Sequence, residues 1–255
     1  MIFTSSCCDN LSIDEIIERA EKGDCEAQYI VGFYYNRDSA IDSPDDEKAF
    51  YWLKLAAEQG HCEAQYSLGQ KYTEDKSRHK DNEQAIFWLK KAALQGHSDA
   101  QNNLADLYED GKGVAQNETL AAFWYLKSAQ QGNRHAQFQI AWDYNAGEGV
   151  DQDYKQAMYW YLKAAAQGSV GAYVNIGYMY KHGQGVEKDY QAAFEWFTKA
   201  AECNDATAWY NLAIMYHYGE GRPVDLRQAL DLYRKVQSSG TRDVSQEIRE
   251  TEDLL

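Results

Sequence analysis

The residues of this sequence that could carry chemistry are six histidines and five cysteines. Imidazole can act as a general base or a metal ligand, and a thiolate can act as a nucleophile or a metal ligand. Neither set has the spacing that such sites need, because the sequence has no HExxH, CxxC or GxSxG motif. No residue is therefore predicted to be catalytic, and neither a metal nor a cofactor is expected.

Two subsets leave alternatives open. His135, His182 and His217 fall at related positions of three successive segments, so they could meet in a metal site, a pH-sensitive site or an enzymatic groove. Vicinal Cys7 and Cys8 leave a redox or metal role open. The favoured interpretation of the cysteines is free thiols in a reducing compartment.

Glycine-rich loops are the third chemical signal. The sequence reads GxGV at Gly111–Val114, Gly147–Val150 and Gly183–Val186. A phosphate-binding loop needs GxxxxGK[ST] after a strand, and no such lysine follows here. These loops are instead predicted to end helices, since glycine readily adopts the left-handed conformation.

A 36-residue repeat must position all of these groups. An anchor alanine recurs at intervals of 37, 36, 36, 36 and 36 residues, a tyrosine follows each alanine after eight residues, and a series of tryptophans runs in phase. Such a period predicts stacked repeats that bury their apolar faces against their neighbours. The members are Ala27, Ala64, Ala100, Ala136, Ala172 and Ala208; Tyr35, Tyr72, Tyr108, Tyr144, Tyr180 and Tyr216; and Trp52, Trp88, Trp124, Trp160 and Trp196.

Each repeat is predicted to be a hairpin of two helices. Ala100, Leu104 and Tyr108 recur every four residues, which places them on one helix face. The fifth residue after each anchor is always Gly or Ala, which lets a second helix approach closely. The second helix ends at a glycine such as Gly132, with Asn204 as the substitute in the fifth repeat.

The domain organisation follows from this pattern. Residues 1–11 are expected to be a flexible N-terminus and 12–23 a capping helix that starts with a Ser12–Glu15 capping box. Residues 24–240 are expected to form six repeats in one α-solenoid, and 241–255 a C-terminal capping helix.

Net charge limits the classes of partner that this chain is expected to bind, and hydropathy indicates where the chain is located. The formal net charge of −15 disfavours nucleic acid and anionic membranes. The favoured interpretation of the negative charge is that it keeps the chain soluble. The alternative is that it attracts a specific basic partner. No apolar stretch approaches the ~20 residues of a membrane span, and the N-terminus lacks a signal-peptide pattern, so a cytoplasmic location is expected.

The pattern A-Q-x-x-L-G-x-x-Y-x-x-G-x-G-V followed by A-x-x-W-x-x-x-A-A-x-x-G resembles the Sel-one-like repeat (SLR) family, a relative of the tetratricopeptide repeats. The segment WLKKAALQGHSDAQNNLADLYEDGKGV carries it, and the match spans about residues 24–240. The resemblance implies an all-α, right-handed solenoid whose first helices line the concave side. It also implies an adaptor or scaffold role, known in bacterial signalling, host interaction and protein quality control.

By analogy with the tetratricopeptide arrangement, a partner site is expected on the first helices. Its predicted members are aromatic and histidine side chains, because exposed aromatic clusters usually mark interfaces, together with an acidic rim. The first group is Tyr29, Phe33, Tyr66, Phe138, Trp142, Tyr178, His182, Tyr210, His217 and Tyr218, and the rim is Glu63, Asp99, Asp106, Glu109 and Asp110. The alternative is that the offsets are shifted by one position and some of these residues pack between repeats.

The function expected from these observations is a non-enzymatic scaffold or adaptor that holds a protein or peptide partner in its concave groove. The alternative is an immunity-type inhibitor that neutralises a basic bacterial toxin or effector. A monomer is favoured over an oligomer. The identity of the partner is not encoded in the repeat.

Overall fold

The computed structural model describes residues 11–36, 45–74 and 79–255. Within these ranges the chain is built from fourteen α-helices and contains no strand. Cys7, Cys8 and all but the last residue of the predicted flexible N-terminus lie outside the described residues.

Twelve of the helices form six hairpins, and one further helix flanks the hairpins at each end. Even-numbered helices α2–α12 are the first helices of the hairpins, and odd-numbered helices α3–α13 are the second helices. In chain order they are α1 (Ile13–Glu21), α2 (Cys25–Asn36), α3 (Asp46–Glu58), α4 (Cys62–Thr73), α5 (Asn82–Leu94), α6 (Ser98–Asp110), α7 (Glu118–Gln130), α8 (Arg134–Ala146), α9 (Tyr154–Ala166), α10 (Val170–His182), α11 (Tyr190–Glu202), α12 (Ala206–Tyr218), α13 (Leu226–Ser239) and α14 (Ser245–Asp253).

Internal contacts divide the chain into two compact units, Met1–Gln131 and Gly132–Leu255. The first unit contains α1–α7 and the second contains α8–α14. Each second helix packs against the first helix of its own hairpin, and α3, α5, α9 and α11 also pack against the first helix of the next hairpin in the same unit. This is the all-α solenoid architecture that the repeat predicts.

Small residues hold the two helices of a hairpin together. All six anchor alanines are fully buried. A Cβ on Gly69 would lie 2.7 Å from Leu89 Cγ, and one on Gly177 would lie 2.7 Å from Phe197 Cε1. The second helix therefore packs directly on the backbone of the first, as the small residue at this position predicts.

Glycines end the helices as predicted. Gly111, Gly147, Gly183 and Gly219 adopt the left-handed conformation at the C-termini of α6, α8, α10 and α12. Among the described residues Asn204, with φ of 62°, is the only other residue type with positive φ, in agreement with its predicted role as a glycine substitute.

A series of glutamine pairs connects consecutive hairpins within each unit. The amide of Gln95, after α5, donates to Gln65 Oε1 over 2.8 Å and to the Gly60 carbonyl over 3.0 Å. Gln167 repeats both bonds with Gln137 and Gly132 in the second unit. These bonds satisfy polar groups where one repeat meets the next, which would otherwise cost stability.

Candidate functional site

The first helices of the second unit carry a surface groove. It has a volume of about 360 Å³ and lies between α8 and the start of α10. Its lining residues are Arg134, His135, Phe138, Gly168, Ser169, Val170 and Gly171. One of them, Phe138, belongs to the face that the sequence predicts to bind a partner, and His135 belongs to the histidine subset with His182 and His217.

Gly171 distinguishes this repeat from the others. The other repeats place a side chain at this position, such as Glu63, Asp99 or Thr207. A Cβ on Gly171 would lie 2.9 Å from Phe138 Cε2, so the phenyl ring occupies the space that a side chain would fill. The Phe138 ring therefore lies directly against the backbone at the start of α10, and both residues line the groove.

Trp142 and Tyr178 extend the aromatic surface. Trp142 lies one helical turn beyond Phe138 and is 42% exposed. The ring of Tyr178 stacks with His182, with ring centroids 6.2 Å apart, and meets the edge of Phe197 at 5.5 Å. Its hydroxyl accepts a hydrogen bond from Asn211 over 3.0 Å. Tyr178 is thus held in place by α11 and α12, whereas Trp142 and His182 are exposed to solvent.

Phe138 packs on a tyrosine that the sequence analysis did not single out. Its ring centroid lies 5.7 Å from that of Tyr161, whose side chain is fully buried. The Tyr161 hydroxyl has no hydrogen-bond partner among the residues that the structure describes, and burial, with the nearby Asp143 carboxylate, raises the pKa of this phenol.

The residues predicted on α12 divide into covered and exposed ones. The Tyr210 hydroxyl donates to Glu247 of α14 over 3.3 Å, and the Arg242 guanidinium lies 3.8 Å from the Tyr210 ring centroid. His217 Nδ1 lies 3.1 Å from the Thr251 hydroxyl of α14. The C-terminal helix α14 therefore contacts Tyr210 and His217, while Tyr218 is 66% exposed.

In the first unit the predicted aromatic residues lie between consecutive repeats. Tyr29 stacks on His61 and Tyr66 stacks on His97, with ring centroids 4.5 and 4.3 Å apart. Phe33 is half-buried and lies 6.1 Å from Tyr29. Burial, with the carboxylates of Glu63 and Glu26, raises the pKa of Tyr29 to about 12. These rings stabilise contacts between repeats.

The predicted acidic rim is partly engaged within the chain. The buried Tyr125 hydroxyl lies 2.6 Å from Asp106 Oδ1 and 2.8 Å from Glu109 Oε2 and donates its proton to one of these carboxylates. Glu63 lies 3.2 Å from His97 Nε2, and Asp110 pairs with Lys112 over 2.8 Å. Asp99 is exposed. Sequence reasoning missed these engagements because it considered each side chain on its own helix.

Within residues 11–36, 45–74 and 79–255, the histidines, cysteines and carboxylates do not form a metal site, and the thiols lie in settings that disfavour reactivity. No group of three or more His, Cys, Asp or Glu side chains there is placed to hold a metal ion. Cys25 and Cys62 are free thiols that donate to the carbonyls of Ala56 and Ala92. Burial raises the pKa of both thiols, which disfavours the reactive thiolate.

Comparison with known proteins identifies the repeat. The model of the Sel1 repeat matches six consecutive segments, 25–61, 62–97, 98–133, 134–169, 170–205 and 206–235. The chain belongs to the Sel1 repeat family. Sel1 repeat proteins are generally scaffolds for protein–protein interaction and are typically non-catalytic.

Two solved Sel1-type structures are similar to this chain. A protective antigen of uropathogenic Escherichia coli with an SLR fold is 35% identical, with a TM-score of 0.82, over 91% of this chain and 50% of its own. A Sel1 repeat protein from Oxalobacter formigenes is 31% identical, with a TM-score of 0.69, over 93% of this chain and 69% of its own. The chain thus spans half the length of the first relative.

None of the helices within residues 11–36, 45–74 and 79–255 has both the length and the apolar character needed to cross a bilayer.

Proposed function

We propose that this Sel1 repeat protein is a non-enzymatic scaffold that holds a protein segment against the first helices of its second unit. The observation that carries the proposal is the groove that Phe138 lines, where its ring packs against the backbone of Gly171. A concave, partly apolar groove bordered by an exposed tryptophan is a typical anchor site for a partner side chain.

The affinity is expected to come from the aromatic residues. Phe138 lines the groove, Trp142 is exposed beside it, and Tyr178 is fixed by its contacts with Phe197 and Asn211. Fixed rings lose little conformational entropy on binding, so they contribute strongly for their size. Truncation of each is expected to cost roughly 1–3 kcal/mol of binding free energy.

Polar residues at the groove are expected to orient the bound segment. Arg134 and His135 lie on α8 at one wall, and His182 lies exposed at the end of α10. Their contribution to affinity is smaller than that of the rings, because exposed polar groups mainly affect orientation and association rate. Tyr218 lies at the end of α12 as a further exposed contact.

Affinity capture from a native lysate, quantified by mass spectrometry, tests this proposal. The wild-type chain is compared with a Phe138→Ala, Trp142→Ala, Tyr178→Ala variant and with Trp142→Ala alone, which removes a 42% exposed side chain; circular dichroism establishes that each variant is folded. The matched control is Tyr159→Ala, an aromatic residue of similar exposure on a second helix. Partners that the triple variant loses and the control retains support the proposal.

Equal capture by a folded triple variant would show that the interface lies elsewhere. The same experiment separates the scaffold from the inhibitor hypothesis. One basic protein that dissociates slowly and resists salt would favour an immunity-type inhibitor, whereas several partners in fast exchange favour an adaptor.

A further inference from the structure

The first helices of the two units differ in charge. In the first unit, α2, α4 and α6 carry six carboxylates and one lysine, the buried Lys71. In the second unit, α8, α10 and α12 carry one carboxylate, Asp143, which is 4% exposed. The basic and histidine residues of these three helices are Arg134, His135, Lys181, His182 and His217. A chain with a net charge of −15 therefore contains three described helices that expose no carboxylate.

Arg134 and His135 place basic groups at the groove beside Phe138. Both are exposed, and none of the described residues that line the groove is acidic. One guanidinium nitrogen of Arg134 donates to the Gln167 carbonyl over 3.4 Å, and a guanidinium has further N–H donors that can bind a carboxylate. The first residues of α10 also line the groove, and the N-terminus of a helix favours an anion. The groove therefore suits a carboxylate next to an apolar side chain.

A second basic group lies further along α10. His182 is exposed and stacks on Tyr178, with ring centroids 6.2 Å apart. It follows Gly171 of the groove by eleven residues, or three helical turns, so the two residues lie on the same face, about 16 Å apart along the axis. An extended segment covers this distance in about five residues. The remaining basic residue of this helix, Lys181, pairs with Glu220 over 2.7 Å.

We propose that the partner of this face is an acidic protein segment. This inference rests on the proposed function and names the chemistry of the bound segment. One carboxylate binds at Arg134 and His135, beside an apolar side chain that packs on Phe138. A second carboxylate, about five residues away in the segment, reaches His182. The groove face so defined consists of Arg134, His135, Phe138, Trp142, Tyr178 and His182.

Charge and geometry favour this occupant over others. A basic segment would lie against Arg134 without an exposed carboxylate to pair with. A single C-terminal carboxylate could reach Arg134 or His182 but not both. Nucleic acid requires a series of Lys and Arg along its phosphates, whereas α8, α10 and α12 carry only Arg134 and Lys181, and Lys181 is paired. Two side-chain carboxylates of one protein segment match both basic points.

Selection of random peptides on the purified full chain by phage display tests the proposal. We expect the enriched peptides to carry two Asp or Glu residues about five positions apart, with an apolar residue beside one of them. Fluorescence anisotropy then measures the affinity of an enriched peptide. Arg134→Glu should weaken it roughly tenfold, and His182→Ala roughly two- to fivefold. The matched control is Arg227→Glu on the second helix α13, which changes the net charge equally at an exposed residue and should leave the affinity unchanged.

A charge exchange provides a stricter test. Replacement of the essential peptide carboxylate by Lys should abolish binding to the wild-type chain and restore binding to Arg134→Glu. Acidic peptides that bind Arg134→Glu as well as the wild type would overturn the proposal. Circular dichroism establishes that each variant is folded.

The selection also separates this inference from the proposed function. Basic or uncharged peptides that the variant with Phe138, Trp142 and Tyr178 replaced by alanine loses would overturn the acidic segment and leave the proposed site in place. Enriched peptides that this variant retains, or a selection without enrichment, would overturn the proposed site as well. Binding of labelled oligothymidylate that Arg134→Glu abolishes would assign the face to nucleic acid and overturn the acidic segment.

Discussion

His97 connects two consecutive repeats through both of its ring nitrogens. Its Nδ1 accepts the backbone N–H of Ala100 over 3.2 Å and so caps α6, while its Nε2 lies 3.2 Å from the Glu63 carboxylate of the preceding first helix. The same ring stacks on Tyr66. His61 repeats the arrangement with Ala64, Glu26 and Tyr29. The histidine at this position therefore connects consecutive repeats.

Because His97 both caps α6 and contacts the preceding repeat, its substitutions should lower the free energy of unfolding in two steps. His97→Asn keeps the helix cap, because Asn133 makes the same bond to Ala136 in the next repeat. It loses the bond to Glu63 and the stacking, so the free energy of unfolding should fall by roughly 0.5–1.5 kcal/mol. His97→Ala loses the cap as well, for about 1 kcal/mol more. Urea unfolding of both variants checks this, and equal stability of the two would contradict the capping role.

Tyr125 and Tyr161 occupy equivalent positions of consecutive second helices but have different hydroxyl environments. Tyr125 donates to Asp106 or Glu109, whereas the buried Tyr161 hydroxyl has no partner within the described part of the chain. Tyr125→Phe should therefore lower the free energy of unfolding by roughly 1.5–3 kcal/mol, the range for hydrogen bonds to charged groups. Tyr161→Phe should leave stability unchanged or increase it, because no bond is lost. Urea denaturation compares the pair, with each variant serving as the control for the other.

The same two residues predict how the stability depends on alkaline pH. Burial raises the pKa of both phenols above its ordinary value. The two neutral phenols contribute fully to the free energy of unfolding below about pH 10, the ordinary tyrosine pKa. This contribution is lost as the pH rises through the higher pKa of the folded state. The double Phe variant should lose less stability than the wild type above that pH. Parallel losses would show that other groups control alkaline unfolding.

The hairpin architecture was predictable because its determinants are local and periodic. The anchor alanines, the small residue five positions later and the loop glycines each act within one repeat. Those features correctly predicted the helices around Ala100 and the helix end at Gly111. The glutamine pairs were visible as the recurring AQ and QG motifs, but their hydrogen bonds depend on how one repeat stacks on the next.

The candidate site was less predictable because it depends on tertiary contacts. Tyr210 and His217 match the predicted face, yet α14 contacts both, and no motif in that helix shows where it packs. The groove is lined by Phe138 packed against the backbone of Gly171, and a search for reactive residues does not detect a glycine.

Gly113 is the second glycine of its GxG loop. Its substitution by alanine should lower the free energy of unfolding by more than backbone strain alone would. Gly113 has φ of +76°, and a Cβ there would lie 2.4 Å from Asn82 Cβ at the start of α5. Gly96 also has positive φ, at +95°, but a Cβ there would meet nothing within 4 Å. Gly96→Ala should therefore cost about 1 kcal/mol from the left-handed conformation. Gly113→Ala should cost about 1–3 kcal/mol more, because the loop must move away from α5.

Thermal and urea unfolding of the two alanine variants measure this difference. Hydrogen exchange at the start of α5 should be faster in Gly113→Ala and unchanged in Gly96→Ala, since only the former disturbs that contact. Gly185 and Gly221 approach Tyr154 and Tyr190 in the same way, so their substitutions should follow Gly113. Equal destabilisation at Gly96 and Gly113 would mean that the loop contributes to stability only through its turn. The contact that these glycines make between successive second helices would then add nothing to the stacking of repeats.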